Sequence, residues 1–265
     1  MGLLKQTNLG PLKHSELKSF LDEKVIQYNK ADFITSDPLQ IPHRYSLKED
    51  IEISGFLTAT IAWGNRKSII NNAKRLMALM DHTPYQFVME HQPKDLKALS
   101  SFVHRTFNGL DCIQFIESLK HIYTNHKGLE GIFNSYAEPN SLQQAIHMLK
   151  QHFFEIDHLK RTQKHISDPL KKSAAKRINM FLRWMIRPND TKVDFGLWTQ
   201  LKPSQLSCPL DVHSGNVARK LGLLIRPQND ARALAELDYS LRRLDPLDPV
   251  KYDFALFGLG VFEKF

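Results

Sequence analysis

Apolar residues recur at the spacing of a helix along almost the whole chain, and this periodicity restricts the fold more than any other feature of the sequence. Between positions 67 and 80, one helix face collects Ile69, Ile70, Ala73, Leu76, Met77 and Met80. No segment alternates polar and apolar residues between hairpin turns, and no internal repeat is visible. The periodicity therefore predicts an all-α chain. The predicted helices cover 50–63, 67–80, 84–90, 94–106, 111–124, 141–154, 173–186, 214–222 and 230–243, with a terminal helix near 254–260.

The composition is typical of a folded globular protein. Hydrophobic residues make up 42% of the 265 positions and charged residues 24%, which excludes a disordered or collagen-like chain. No apolar run reaches the roughly 18 residues that a membrane helix needs. The stretch Met1–Pro11 lacks the apolar core of a signal peptide. We therefore expect a cytoplasmic protein with no membrane partner.

Cysteine and histidine usage predicts neither a metal nor a cofactor. Cys112 and Cys208 are too few for a four-thiolate zinc or iron–sulfur site within one chain, and we expect two reduced thiols. The twelve histidines show no ligand-like spacing, and His121 and His126 are five positions apart.

Positive charge is concentrated in one segment. The chain has 36 Lys and Arg against 28 Asp and Glu, a net charge of +8. Between positions 160 and 190, only Asp168 and Asp190 oppose nine basic residues: Lys160, Arg161, Lys164, Lys171, Lys172, Lys176, Arg177, Arg183 and Arg187. Such a segment is the electrostatic footprint of a nucleic-acid-binding surface, and the alternative is a solvated helix face.

Lys176 lies in the first turn of a predicted helix that Ser173 is expected to cap. The apolar face of this helix consists of Ile178, Phe181, Leu182 and Met185. Lys176 points away from that face, toward the helix end where free backbone N–H groups favour a phosphate. On spacing alone, Lys176 is one more exposed lysine.

Asp211 precedes another helix, whose apolar face includes Val217, Ala218 and Leu221. An aspartate at this place caps the helix, and capping is its ordinary structural role.

The surroundings of Asp211 resemble a segment of the helix-hairpin-helix DNA glycosylase superfamily, which includes endonuclease III and the 8-oxoguanine glycosylases. Pro209-Leu210-Asp211-Val212-His213, followed by Val217-Ala218-Arg219-Lys220-Leu221-Gly222-Leu223, is similar to its Pro-Val-Asp-Thr-His-Val … Arg … Leu-Gly segment. The segment 57–76, which includes Ala62-Trp63-Gly64-Asn65-Arg66-Lys67, resembles an early helix–turn–helix of the superfamily that reaches the DNA, and the stretch 248–260 resembles its archaeal 8-oxoguanine glycosylase branch. Its usual Leu-Pro-Gly-x-Gly hairpin is replaced by Leu170-Lys171-Lys172-Ser173-Ala174-Ala175, and 35 positions separate Lys176 from Asp211. Both departures are closest to the archaeal 8-oxoguanine glycosylase branch, and the chain as a whole resembles a bacterial family distantly related to these enzymes.

This resemblance implies a DNA repair glycosylase with associated AP lyase activity, acting on an oxidised base such as 8-oxoguanine. Lys176 is then the catalytic nucleophile, which forms a Schiff base with the sugar, and Asp211 is the catalytic carboxylate. The chemistry requires no metal and no cofactor. The partner is duplex DNA, and the protein is expected to be a monomer associated with the nucleoid.

The resemblance also implies two helical subdomains with a cleft between them. Residues 50–189 form a central lobe, and residues 1–49 with 190–265 form the second lobe. A proline-broken linker at 187–209 separates Lys176 from Asp211. The residues expected to contact DNA are Asn65, Arg66, Lys67, Lys171, Lys172, Arg177, Arg183 and His213, and Trp184 is the candidate for stacking on a base.

Two other functions compete with the glycosylase. The first is a catalytically silent nucleic-acid-binding protein with the same fold, which the missing hairpin glycines favour. The second is a helical scaffold whose basic segment binds an acidic partner protein.

Overall fold

The computed structural model describes residues 14–265, and over that range the chain forms thirteen α-helices. They are α1 (His14–Tyr28), α2 (Asp32–Thr35), α3 (Lys48–Thr60), α4 (Arg66–Ala78), α5 (Pro84–Glu90), α6 (Pro93–Leu99), α7 (Gly109–Asn125), α8 (Gly128–Tyr136), α9 (Gln143–Phe153), α10 (Lys176–Ile186), α11 (Val212–Lys220), α12 (Ala231–Leu244) and α13 (Tyr252–Val261). Two strands of two residues each, β1 (Val103–His104) and β2 (Phe107–Asn108), form an antiparallel hairpin. The all-α prediction is confirmed. The expectation about Met1–Pro11 falls outside the described residues.

Three local predictions are corrected by the structure. The helix predicted over 94–106 ends at Leu99, because the chain then turns through Arg105, at φ 56°, and pairs β1 with β2. Helix α8 was not predicted, since it is short and begins at Gly128, which like the preceding Lys127 has positive φ. The helix predicted from Ser173 begins only at Lys176.

The larger of two clusters of buried side chains surrounds α3, in which every residue from Ile51 to Thr60 is buried. Helix α10 packs against α3, and Gly55 of α3 leaves room for the side chains of Phe181 and Met185. Helices α7, α8 and α9 complete this cluster. At roughly 1.5–3 kcal/mol for each fully buried large apolar side chain, such a cluster is the main source of stability.

The smaller cluster joins the first and last described helices. Leu17 and Leu21 of α1 pack with Leu256 and Leu259 of α13, and α11 and α12 cover the other sides. The amphipathic pattern of α12 is clear: its buried leucines recur at 234, 237, 241 and 244.

The larger cluster contains residues from both predicted lobes. Leu39 and Ile41 belong to the larger cluster, and so do Val193, Trp198 and Leu206. Clusters of buried side chains are not domain boundaries, so the division at 50 and 189 stays a prediction. Helix α10 lies at the junction, since Ala174 belongs to the smaller cluster and Ala175 to the larger one.

Candidate active site

A cleft of about 1090 Å³ opens at the N-terminal end of α10, where the two clusters meet. The segments 62–69 and 173–180 contribute to its walls. From the smaller cluster, the start of α11 and the end of α13 contribute. The cleft therefore collects segments that are up to about 200 positions apart in the sequence.

Lys176 is the first residue of α10, and its position depends on an unusual turn before it. Ala175 has φ 44°, in the left-handed region, and no side chain caps the helix. Ser173 does not cap it as expected; its hydroxyl instead accepts a hydrogen bond from the backbone N–H of Ala175 at 3.1 Å. A Cα–Cβ bond tilts toward the N-terminus of its helix, so Lys176 projects beyond the helix end into the cleft.

The two carboxylate oxygens of Asp211 have different partners. Oδ1 accepts the backbone N–H groups of His213 at 2.8 Å and Ser214 at 3.0 Å, which caps α11. Oδ2 lies 3.3 Å from Nζ of Lys176. The side chains keep 32% (Lys176) and 20% (Asp211) of their surface exposed, so a ligand in the cleft can reach both. Lys176 and Asp211 thus line one cleft, and their catalytic roles stay predictions.

The pKa values of two carboxyl groups in the cleft are shifted in opposite directions. Burial alone would raise the pKa of Asp211, but the Lys176 ammonium and the Ser214 amide outweigh it and hold that pKa below its ordinary value. Burial raises the pKa of Asp37, although the Leu39 amide and Arg183 act in the opposite direction. Asp211 is therefore the ionised acid of this site, next to the amine.

Two aromatic rings line the same cleft as Lys176 and Asp211. The guanidinium of Arg177 lies 4.8 Å from the centre of the Trp63 ring, and that of Arg66 lies 5.2 Å from the Phe257 ring. Trp63 and Phe257 are both partly exposed, whereas the other two tryptophans are fully buried. The cleft thus offers flat apolar surfaces next to positive charge.

A small cavity of about 40 Å³ lies behind the cleft and shares its wall. Lys176, Asp211, Met180 and Phe257 line both spaces. A cavity of this size holds little more than water, so a larger ligand group has to occupy the main cleft.

Most of the predicted DNA contacts lie on accessible surface. Lys171, Lys172, Asn65, Lys67 and His213 are exposed, and Arg66 is partly exposed. Arg66 and His213 line the cleft itself. Their contact with DNA stays a prediction.

Two predicted site residues are corrected, because both are inside the protein. Trp184 has no exposed surface and cannot stack on a base. Arg183 is 4% exposed and forms ion pairs with Asp194 at 3.3 Å and Asp253 at 2.5 Å, so it has no surface to offer a phosphate.

Arg177 is only partly available to a ligand. It lines the cleft, but its guanidinium donates hydrogen bonds to the backbone carbonyls of Thr60 and His165. Burial lowers the pKa of Arg177 to about 10, and it remains a cation at neutral pH.

The basic segment carries less surface charge than its composition implies. Arg187, like Arg183, is buried, and it pairs with Asp194 at 2.5 Å and Asp248 at 2.8 Å. Arg161 pairs with the buried Asp111 at 2.8 Å. With Lys176, which contacts Asp211, four of the nine basic residues are therefore paired with carboxylates of the protein.

Sequence reasoning missed three residues that line the cleft, Asp37, Trp63 and Phe257. The Gly64-Asn65 break after Trp63 was a usable signal. Gly64 has φ 99° and lies in the turn between α3 and α4. The side chain of Asn65 caps α4 by accepting a hydrogen bond from the backbone N–H of Ser68 at 3.2 Å. This turn places Trp63 at the edge of the cleft. Asp37 and Phe257 gave no comparable signal.

Among residues 14–265, no helix is both long and apolar enough to cross a bilayer. No curated protein matches the chain. No solved structure matches it either. A family model matches residues 37–262, a range that includes all of the cleft except Lys264. The chain therefore belongs to the family described as "Protein of unknown function (DUF2400)".

Proposed function

We propose that this protein is a DNA glycosylase with associated AP lyase activity, which removes an oxidised base such as 8-oxoguanine from duplex DNA. The observation that supports the proposal most directly is the 3.3 Å contact between Nζ of Lys176 and Oδ2 of Asp211 in an open cleft. An amine and a carboxylate in contact, accessible to a ligand, are the two groups that Schiff-base chemistry at a sugar needs.

The reaction begins when the damaged nucleotide leaves the base stack and enters the cleft. The neutral amine of Lys176 attacks C1′, a C–N bond forms, and the glycosidic bond breaks. The base leaves with the bonding electron pair and takes up a proton. The sugar ring then opens, O4′ gains a proton, and the lysine remains attached as a Schiff base. Loss of a proton from C2′ expels the 3′ phosphate and cuts the strand, and water finally releases Lys176.

Asp211 has two tasks in this sequence. Its Oδ2 accepts the proton that the Lys176 ammonium must give up before it can attack, and it stabilises positive charge on the sugar as the base departs. Its Oδ1 stays bonded to the start of α11, so the carboxylate is held in place during both steps. The capping role and the catalytic role are therefore compatible.

The turn before Lys176 supports the same proposal. In the Leu-Pro-Gly-x-Gly pattern, the first glycine corresponds to Lys172, and Lys172 has φ 71°, a conformation that glycine adopts without strain. The hairpin backbone is therefore of the kind that glycines favour, although the residues differ. Lys171 and Lys172 are exposed there, next to the helix end where backbone N–H groups attract phosphate.

The walls of the cleft suit a flipped base. Trp63 and Phe257 present partly exposed rings on which a purine can stack, and such stacking contributes about 1–3 kcal/mol per base. On this proposal the protein works as a monomer at the bacterial nucleoid, in the cytoplasm.

Borohydride trapping tests the proposal. The protein is mixed with a duplex that contains 8-oxoguanine, with an abasic-site duplex alongside, and the Schiff base is reduced to a stable adduct. We expect an adduct with the unaltered protein and none with Lys176→Ala. Lys164→Ala is the matched control, because Lys164 is an exposed lysine of the same basic segment outside the cleft.

The same experiment separates the two alternatives. Binding of both duplexes without any adduct identifies a silent nucleic-acid-binding protein. Failure to bind either duplex favours the scaffold with an acidic protein partner, and either result ends the glycosylase proposal.

A further inference from the structure

Three histidines surround one carboxylate on a surface away from the cleft. His121 is on α7, His126 follows the end of that helix, and His152 is on α9. Nε2 of His121 lies 2.8 Å and Nε2 of His126 lies 3.1 Å from Oε2 of Glu155, and Nδ1 of His152 lies 2.6 Å from Oε1. The sequence spacing gave no sign of this, because Glu155 is 34 positions from His121 and the helices bring them together.

One oxygen of Glu155 lies within hydrogen-bond distance of two imidazole nitrogens, so three possible ligand atoms converge at one place. The ligand atoms of His121, His126 and Glu155 all lie within 4.8 Å of one another. Zinc bonds to nitrogen and oxygen of about 2.0–2.2 Å place tetrahedral ligand atoms about 3.3 Å apart. The Nε2-to-oxygen distances are already within about 0.5 Å of that spacing, and side-chain rotations that bring the two imidazole nitrogens, which lie within 4.8 Å of each other, to the same spacing admit an ion.

Neighbouring groups hold the imidazoles in orientation. Nδ2 of Asn125 lies 2.9 Å from Nδ1 of His121, and Nε2 of His152 lies 3.1 Å from the Tyr136 hydroxyl. When Nε2 of His121 binds a metal, Nδ1 carries the proton, and rotation of the Asn125 amide presents its oxygen as the acceptor. Such outer hydrogen bonds orient the ligands of most histidine metal sites.

The donor set selects the kind of ion. Two imidazole nitrogens and one carboxylate oxygen suit Zn²⁺ and similar transition metals, whereas Ca²⁺ and Mg²⁺ prefer oxygen ligands alone. The His152 ring lies 4.3 Å from the His126 ring, and a cavity of about 200 Å³ adjoins His126 and Tyr136. His152 or a water molecule is therefore available as the fourth ligand.

We propose that His121, His126 and Glu155 bind one Zn²⁺ ion, which ties the end of α7 to the chain just after α9. None of these residues lines the cleft, so the site is structural and independent of the proposed chemistry at Lys176. Binding requires the imidazoles to be unprotonated and stabilises the folded protein through mass action.

Isothermal titration with ZnCl2 tests the proposal on the full chain, stripped of metal and free of any histidine tag. We expect one equivalent to bind and the melting temperature to rise with Zn²⁺ concentration. The double variant His121→Gln/His126→Gln is expected to lose both effects. The matched control is His14→Gln/His82→Asn, which removes two exposed histidines outside the cluster and is expected to keep both.

Two milder variants keep the test decisive where the double variant folds poorly. Glu155→Gln removes a charged ligand from a side chain that is 43% exposed, and we expect Zn²⁺ affinity to fall more than tenfold. Asn125→Ala is expected to weaken binding about tenfold through loss of the outer hydrogen bond. Absence of binding by the unaltered protein, or equal binding by the Glu155→Gln variant, overturns the proposal.

Discussion

The two ends of α10 carry similar charges in very different surroundings. At the first residue, Lys176 has one carboxylate contact, at 3.3 Å, and keeps about a third of its surface exposed. About two and three turns later, Arg183 and Arg187 are buried and share Asp194, with Asp253 and Asp248 as further partners. In the sequence all three are basic residues of one segment.

The difference separates a charge that serves the fold from one that is free to act on a ligand. A buried arginine with two carboxylates is fully compensated, and removal of one partner leaves another charge unpaired inside the protein. A partly exposed lysine with a single carboxylate partner can replace that partner with a ligand at little cost in free energy. Net charge along a segment therefore says little about its surface until the partners are known.

The largest expected effect is on activity at the open end of the helix. Lys176→Ala is expected to abolish base excision and adduct formation, and Asp211→Asn to slow excision about 100-fold or more. Neither change is expected to lower the free energy of unfolding by more than about 1 kcal/mol, because the pair of Lys176 and Asp211 is partly exposed and asparagine also caps a helix. Single-turnover excision and urea unfolding of the same samples measure both quantities. If the loss of excision activity is accompanied by a large loss of the free energy of unfolding, the contrast between the two ends of α10 is contradicted.

At the closed end, the effect is expected on stability. Arg183→Leu leaves Asp194 and Asp253 without this partner in the interior, so we expect the free energy of unfolding to fall by about 3–5 kcal/mol. Arg232→Leu is the control, since Arg232 is an exposed arginine of α12. Urea unfolding measures the change, and a loss below about 1 kcal/mol for Arg183→Leu shows that the buried network is not needed.

His165 is a buried residue that makes the free energy of unfolding depend on pH. Burial lowers the pKa of His165 to about 4, so between pH 6.5 and 4 the unfolded chain binds a proton that the folded protein does not. The free energy of unfolding attributable to His165 therefore falls as the pH falls through this range, by about 3 kcal/mol in total.

The variant His165→Phe, which keeps an aromatic ring between Phe107 and Phe115, is expected to lack this loss. Urea unfolding of the unaltered protein and the variant from pH 7 to pH 4 measures this loss, as a change with pH in the difference between their free energies of unfolding. Asp238, whose pKa burial raises to about 6, titrates in the same range in both proteins and cancels. A difference that stays constant with pH shows that His165 is not held neutral.

The smallest effect is expected on the salt dependence of DNA binding. Lys171 and Lys172 are exposed, so their joint replacement by alanine is expected to flatten the slope of log K against log salt by about 2. Lys120→Ala/Lys127→Ala, outside the basic segment, is the control. Fluorescence anisotropy at several salt concentrations measures the slopes, and an unchanged slope places the DNA surface elsewhere.

The sequence was sufficient for the helical class and for the main helix faces. Ile178, Phe181, Leu182 and Met185 were predicted as one apolar face, and all four are buried in the larger cluster. Helical periodicity is a local property, and it is readable wherever one side of a helix is buried. The proximity of Lys176 and Asp211 followed from the resemblance, not from any pattern in the residues between them.

What could not be predicted depends on partners that are distant in the sequence. Arg183 was expected on the DNA surface because Asp253, its partner, lies 70 positions later. Trp184 follows Arg183 on the same helix, and only the packing around α10 reveals that both point inward. His121 and Glu155 belong to different segments, and nothing in their spacing indicates that the ends of α7 and α9 meet.

The contact between α1 and α13 has a consequence for the order of folding during synthesis. Lys24 of α1 bonds to Glu263 at 2.6 Å, and the rings of Tyr28 and Phe262 stack with their centres 5.6 Å apart. The smaller cluster needs α13 for its packing, and α13 also provides Phe257 to the cleft. A ribosome-bound chain can pack α3 against α7 to α10 early, as N-terminal parts generally do, although Phe254 of α13 joins that cluster only later. The cleft lacks one wall until α13 emerges. Helix α1 cannot pack against α13 until more than two hundred further residues have been synthesised.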